Sequence, residues 1–188
     1  MPVIECHVMQ GYADADKSRL CEALTHAVRI VVPARPEAIT VLVHELSPSG
    51  YMRGGEHRTP APALPDPSDT VRRFLTAMEA RDLDTARNML GAGFQMIFPG
   101  TAPMTTLEQL IDWAKPRYQH VTKTYDGFDA MQSPHNHAIV YCRGALSGVW
   151  PDGTPFDGIR FIDRFEVTGG LLTRQDVWND IAEVKANT

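Results

Sequence analysis

The chain has 188 residues, 43% of them hydrophobic and 22% charged, with a formal net charge of -5; this is a globular composition and excludes the disordered and fibrous classes. Residues 1–62 carry 6 Lys/Arg against 7 Asp/Glu and the remainder 12 against 16, so neither half is basic and no nucleic-acid partner is expected. No apolar run approaches the roughly 20 residues that span a bilayer, and no basic segment precedes an apolar stretch at the start; the expectation is a cytoplasmic protein with no membrane partner, which leaves small molecules and protein subunits as its partners.

The first predicted element, "PVIECHVMQ", alternates as a strand, with Ile4, Cys6 and Val8 on one face and Val3, Glu5, His7 and Met9 on the other. Gly11 ends it. Asp14 and Asp16 suit the first turn of a helix whose apolar stripe is Leu20, Leu24, Ala27, Val28 and Val31, stopped by Pro33 and Pro36. "AITVLVHEL" is a second strand, and "SPSGYMRGGEHR" is a loop or short hairpin turning at Gly50, Gly54 and Gly55. Right-handed crossover makes the two strands parallel. One helix covers one face of so small a sheet, leaving Val3, Met9, Leu42 and Leu46 toward water, and a unit of about 60 residues buries only about 60% of its chain's surface. Self-association is expected, unless the second half of the chain supplies the cover.

"HRTPAPALPDPS" carries four prolines and no periodicity, which reads as an extended connector. The expected division is a domain at 1–58, a linker at 59–67 and a second domain at 68–188. Ser68 reads as the cap of a helix with Val71, Phe74, Leu75 and Met78 inward, followed by a short helix, "DLDTARNML", ending at Gly91. "GFQMIFPG" is a strand, and "TTLEQLIDWAKPRY" a helix with a Thr105–Glu108 capping box ahead of Leu107, Leu110, Ile111 and Ala114. Four strand-like segments complete the chain: "VTKTYDGFDAM", "HNHAIVYCRGALSGVW", "PFDGIRFIDRFEV" and "LLTRQDVWNDIA". Helices gathered at one end of a curved antiparallel sheet make this half an α+β domain.

Several residues stand out chemically. Removing Met1 would leave Pro2 with a secondary amine, a candidate base; with Met1 attached its nitrogen is an amide without basicity. Asp163 falls in the otherwise apolar row Ile159, Phe161, Phe165 and Val167, so alternation places a carboxylate inward, either for acid–base work or paired with an arginine such as Arg143. Asp176 and Trp178 share a face of the last strand, Asp176 being a pocket acid or an edge charge. Trp113 and Tyr118 suit core or pocket wall. His120 reads as a loop residue. His135 and His137 share a strand face without a third ligand, so no metal site is expected, and Cys6, Cys21 and Cys142 lack ligand or disulfide spacing.

Met-Pro at the start, the strand-helix-strand order and "GYMRGG" near residue 50 together resemble the 4-oxalocrotonate tautomerase family. The resemblance implies that Pro2, freed of Met1, is the general base or acid of an enol–keto interconversion without a cofactor. Such a base works if it is neutral near pH 7, which an apolar pocket and neighbouring cations favour. It also implies three substrate-binding positions: Tyr12 and Thr40 stand where the family has arginines, and Tyr51 keeps the family's aromatic wall. With both carboxylate clamps missing, Tyr12 is a candidate hydroxyl donor to an enolate oxygen, and Arg53 either restores a positive charge or is a solvated loop residue.

Residues 68 to about 183, through "DTVRRFLTAMEARDLDTARNML", "GFQMIFPG" and "IRFIDRFEVTGGLLTRQDVWND", resemble the SnoaL-like group of the nuclear-transport-factor-2-like superfamily. This implies a cone with an apolar pocket, in which Asp163, Asp176, Trp178, Trp113 and Tyr118 are the candidates. The chain as a whole is expected to be a tautomerase. The alternative is a cyclase, dehydratase or small-molecule binder acting in the cone, with a degenerate tautomerase module for oligomerisation. A homo-oligomer, hexamer or dimer, is expected in either case.

Overall fold

The computed structural model describes residues 1–186, and the chain divides between Ala63 and Leu64 into two compact units. The last two residues of the expected second domain lie outside the described residues.

In the first unit, β1 (Val3–Met9), α1 (Asp14–Arg29) and β2 (Thr40–Leu46) make a β-α-β unit, with the strands parallel from Val3 opposite Thr40 to Met9 opposite Leu46. The alternation in β1 is realised, with Ile4, Cys6 and Val8 half-buried and Val3, Glu5 and His7 exposed. Leu20, Leu24 and Val28 of α1 are half-buried, but Ala27 is exposed, and Val31, 84% exposed, lies past the end of the helix. The expected stripe was too long because Pro33 bars Val32 from the helical region, so the last turn frays. β3 (Met52–Arg53) and β4 (Glu56–His57) form a hairpin across Gly54 and Gly55, both at positive φ (63° and 79°), the pair of left-handed residues a tight hairpin requires. None of residues 1–63 is fully buried. Leu42, 42% exposed, and Val3 face out from the sheet.

In the second unit, α2 (Pro67–Glu79) is capped by Asp66, not Ser68: the Asp66 carboxylate accepts from the backbone N–H of Ser68 at 2.7 Å and of Asp69 at 3.4 Å, with Pro67 at the first helical position. α3 (Leu83–Arg87) is capped by Asp82 and is shorter than expected, since β5 (Leu90–Ile97) already begins at Leu90. The capping box of α4 (Leu107–Ala114) lies one residue later than expected. Thr106 is the extended residue, and Gln109, not Glu108, reaches back, its Oε1 accepting from the Thr106 N–H at 3.2 Å.

β6 (His120–Gln132), β7 (Ala138–Val149), β8 (Pro155–Thr168) and β9 (Leu171–Asn179) are joined antiparallel, and β5 adds to β9 in parallel, giving the order β5-β9-β8-β7-β6. The expected antiparallel sheet therefore has one parallel edge. His120 opens β6 instead of lying in a loop, and His135 and His137 fall in the turn between β6 and β7 rather than on a strand. β9 stops at Asn179, and α5 (Ile181–Ala186) follows. The inner face of the sheet (Val140, Cys142, Ile159, Phe161, Phe165, Val167) packs against Val71 and Phe74 of α2, with Phe74 edge-on to both Phe94 and Phe165. At Gly144 a Cβ would stand 1.9 Å from the Thr124 carbonyl oxygen, so only glycine lets β6 and β7 close at their bulge.

Candidate functional site

The first unit holds a cleft of about 660 Å³ at the C-terminal end of β1, lined by His7, Val8, Met9, Tyr12, Tyr51, Arg53, Arg58, Thr59, Pro60 and Ala61. Gly11, at φ 132°, turns the chain out of β1, and a Cβ there would come 3.1 Å from the Pro60 ring, so residues that the sequence reading assigned to the linker form a wall of the cleft. Tyr12, Tyr51 and Arg53 thus come together, joined by Arg58, which the sequence reading passed over. The lining holds two guanidinium groups and no carboxylate, which suits an anionic or enolate oxygen.

Pro2 and Thr40 are elsewhere. The Thr40 N–H donates to the Pro2 carbonyl at 3.1 Å, which pins Pro2 at the N-terminal end of β1. The backbone from Pro2 to His7, the first lining residue along β1, at about 3.3 Å per residue, runs roughly 17 Å. Pro2 is half-buried, while Met1 before it is 90% exposed.

In the second unit Asp163 is fully buried on the inner face, 0% exposed. Its counter-ion is Lys123, whose Nζ contacts Oδ2 and lies 4.4 Å from the centre of the Phe161 ring; Gln175 donates to the same oxygen at 3.3 Å. Oδ1 of Asp163 and Oε1 of Gln175 are buried without a hydrogen-bond partner. Arg143, the partner considered from sequence, is turned to the other face of β7 and pairs with Asp129, because Cys142 is the residue opposite Asp163 in register. Burial first, and then the Asp163 charge, push the Cys142 thiol up to about 12; burial also raises the Tyr125 hydroxyl. Lys123 had a legible signal: it shares a row with Val121 and Tyr125, as Asp163 shares one with Phe161 and Phe165.

The remaining cone candidates separate from Asp163. Asp176 sits opposite Arg164 on the outer face of the sheet, held by Arg164 at 3.2 Å and Arg174 at 2.8 Å, and Trp178, 51% exposed, shares that face. Asp176 is therefore the centre of an ion-pair cluster there, not an acid beside Asp163. Trp113 packs on Phe98 at 5.1 Å, carries the Arg117 guanidinium at 4.1 Å and lines a shallow groove of about 630 Å³ with Gly100 to Met104; Asp163 is not among the groove's lining residues. Tyr118 is half-buried against the core, and burial raises its hydroxyl.

The fold and these sites define the class: an α+β chain in which a small parallel β-α-β unit precedes an independent cone. Residues 2–59 match the family described as Tautomerase, tautomerase enzyme. The rest has the NTF2-like fold. An NTF2-like protein of unknown function from Burkholderia pseudomallei superposes with a TM-score of 0.53 at 15% identity, covering 64% of this chain and 95% of that one. A protein described as a SnoaL-like polyketide cyclase from Jannaschia sp. CCS1 gives 0.51 at 19% identity, with 69% and 95% covered. One described as a polyketide cyclase from Xanthomonas campestris gives 0.51 at 13%, with 64% and 94% covered. No curated protein matches the chain. The chain thus joins a unit that matches the tautomerase family model to a unit with the NTF2-like fold.

Proposed function

We propose that the protein is an isomerase of the tautomerase type, with Pro2, freed of Met1, acting as base and then acid on a small enol, enone or α-keto substrate. In the enol direction the Pro2 nitrogen takes the hydroxyl proton and the same proton, or its equivalent, is delivered to carbon. One O–H bond is lost, one C–H bond forms, and C=C becomes C=O. The observation that carries this reading is the cleft: within the tautomerase-matching residues, Tyr12, Tyr51 and Arg53 meet in a pocket with two guanidiniums and no carboxylate. Tyr12 donates to the oxygen on which charge develops, and Arg53 and Arg58 hold an anionic substituent. Positioned proton transfer contributes roughly 10²- to 10⁴-fold.

Pro2 lies at the opposite end of β1 from this cleft, so the site is completed when the Pro2 of one copy meets the cleft of another. The absence of any fully buried residue among 1–63 gives the unit a reason to assemble, as a dimer or a hexamer. The test is ultraviolet-monitored ketonisation of phenylenolpyruvate by mass-verified Met1-free protein and its Pro2→Ala variant. A loss of at least about tenfold is expected; equal rates exclude Pro2 as the base for that substrate.

A second reading has its own support. The unpartnered Asp163 Oδ1 and Gln175 Oε1 are acceptors that a ligand's hydrogen-bond donors would satisfy, which suits a cyclase, dehydratase or binding role for the cone. Activity lost in Asp163→Asn and kept in Pro2→Ala would favour it.

A further inference from the structure

We propose that Glu5, His7 and His44 form a binding site for one divalent transition-metal ion of the zinc type on the open face of the β1–β2 sheet. The parallel register sets His7 directly beside His44, and their rings stack at 4.8 Å with 19° between planes. Glu5, two residues before His7, projects from the same face, its carboxylate oxygen 3.9 Å from His44 Nε2. The donor atoms of all three lie within 4.8 Å of one another. Local spacing in the sequence offers a histidine pair at 135 and 137 without a third ligand; here cross-strand pairing brings together residues 37 or more positions apart, which no local spacing shows.

The geometry is within reach of coordination. Tetrahedral zinc with bonds of about 2.0–2.1 Å sets its donors about 3.4 Å apart, so the cluster has to close by at most about 1.4 Å. All three side chains are exposed and can turn about their χ angles while the ladder holds the backbones. Two imidazoles and a carboxylate favour zinc, copper, nickel or cobalt over the oxygen-seeking magnesium and calcium. Three protein ligands leave a position for water, as in two-histidine, one-glutamate zinc sites. Stability gives no competing reason for these residue types, since an exposed His–Glu contact contributes little. His7 also lines the cleft, so the ion would stand at the border of the pocket that holds Tyr12 and Arg53. The site rests on its own geometry and does not depend on Pro2 being the base.

The test is calorimetric titration of Zn²⁺ into chelator-stripped, full-length protein, with Co²⁺ absorption spectra as a second readout. One ion per chain is expected. Removing a ligand should cost at least what removing an outer-shell partner does, so His44→Ala is expected to weaken binding about 100-fold and the near-isosteric Glu5→Gln at least about tenfold, with unchanged circular dichroism. His135→Ala/His137→Ala should bind as the parent does. The proposal is overturned if the parent binds no Zn²⁺, or if neither His44→Ala nor Glu5→Gln weakens binding.

Discussion

Replacing Lys123 by Met would leave Asp163 in the core with no cation and only the Gln175 amide at 3.3 Å. Asp163 is 0% exposed, so water cannot take the place of the ammonium. Breaking a buried pair by removing one partner costs about 3–5 kcal/mol; at about 3–5 °C per kcal/mol for a unit of this size, the unfolding midpoint should fall by roughly 10–25 °C. Removing the charge as well, in Lys123→Met/Asp163→Asn, should recover at least half of that loss. Arg143→Ala, which breaks a pair half-exposed on the other face, should cost less than about 1 kcal/mol. All three tryptophans, Trp113, Trp150 and Trp178, lie in the second unit, so their fluorescence during thermal or urea unfolding reports that unit alone. A Lys123→Met protein within about 0.5 kcal/mol of the parent would refute the assignment of Lys123 as the counter-ion of Asp163.

Two other changes test the same unit. Asp66→Ala should cost about 1 kcal/mol by removing the cap of α2, measurable as a lowered urea midpoint, whereas Ser68→Ala, at the position first read as the cap, should leave the midpoint in place. Folding raises the Cys142 thiol to about 12, so the folded state holds that proton more tightly than the unfolded chain. This contribution is complete below about pH 8.5 and is lost as pH rises toward 12. Stability measured from pH 7.5 to 10.5 should therefore decline, and Cys142→Ala should flatten the decline; the raised Tyr125 hydroxyl acts in the same direction at the alkaline end.

Much of the organisation was legible because it rests on local signals. The period-2 rows placed Ile4, Cys6 and Val8, and later Phe161, Asp163 and Phe165, on their faces; Gly54–Gly55 marked the hairpin. The misplaced caps of α2 and α4 were errors of one or two residues, where neighbouring Asp, Ser and Thr compete to be the last extended residue and sequence alone does not rank them. What stayed hidden was contact across strands. The ammonium of Lys123 and the carboxylate of Asp163 are 40 residues apart, and each alone reads as a surface charge until its row is compared with the other's. The separation of Asp176 from Asp163 was hidden too, because the parity of one strand against its neighbour follows from register, which turns and bulges set. The gap between Pro2 and the cleft was hidden because positions matched along a sequence carry no distance between them.

The parallel pairing of β5 with β9 also governs how the chain is made. Residues 90–97 leave the ribosome early and have to wait for residues 171–179 before their edge is filled, and a closure over so long a separation is slow. The first unit, complete by residue 63, can emerge and fold while the second unit behind it is still open. A stop codon or a stalled ribosome anywhere before residue 171 would therefore release a chain whose head is finished and whose tail exposes an unfilled strand edge, a substrate for chaperones and proteases.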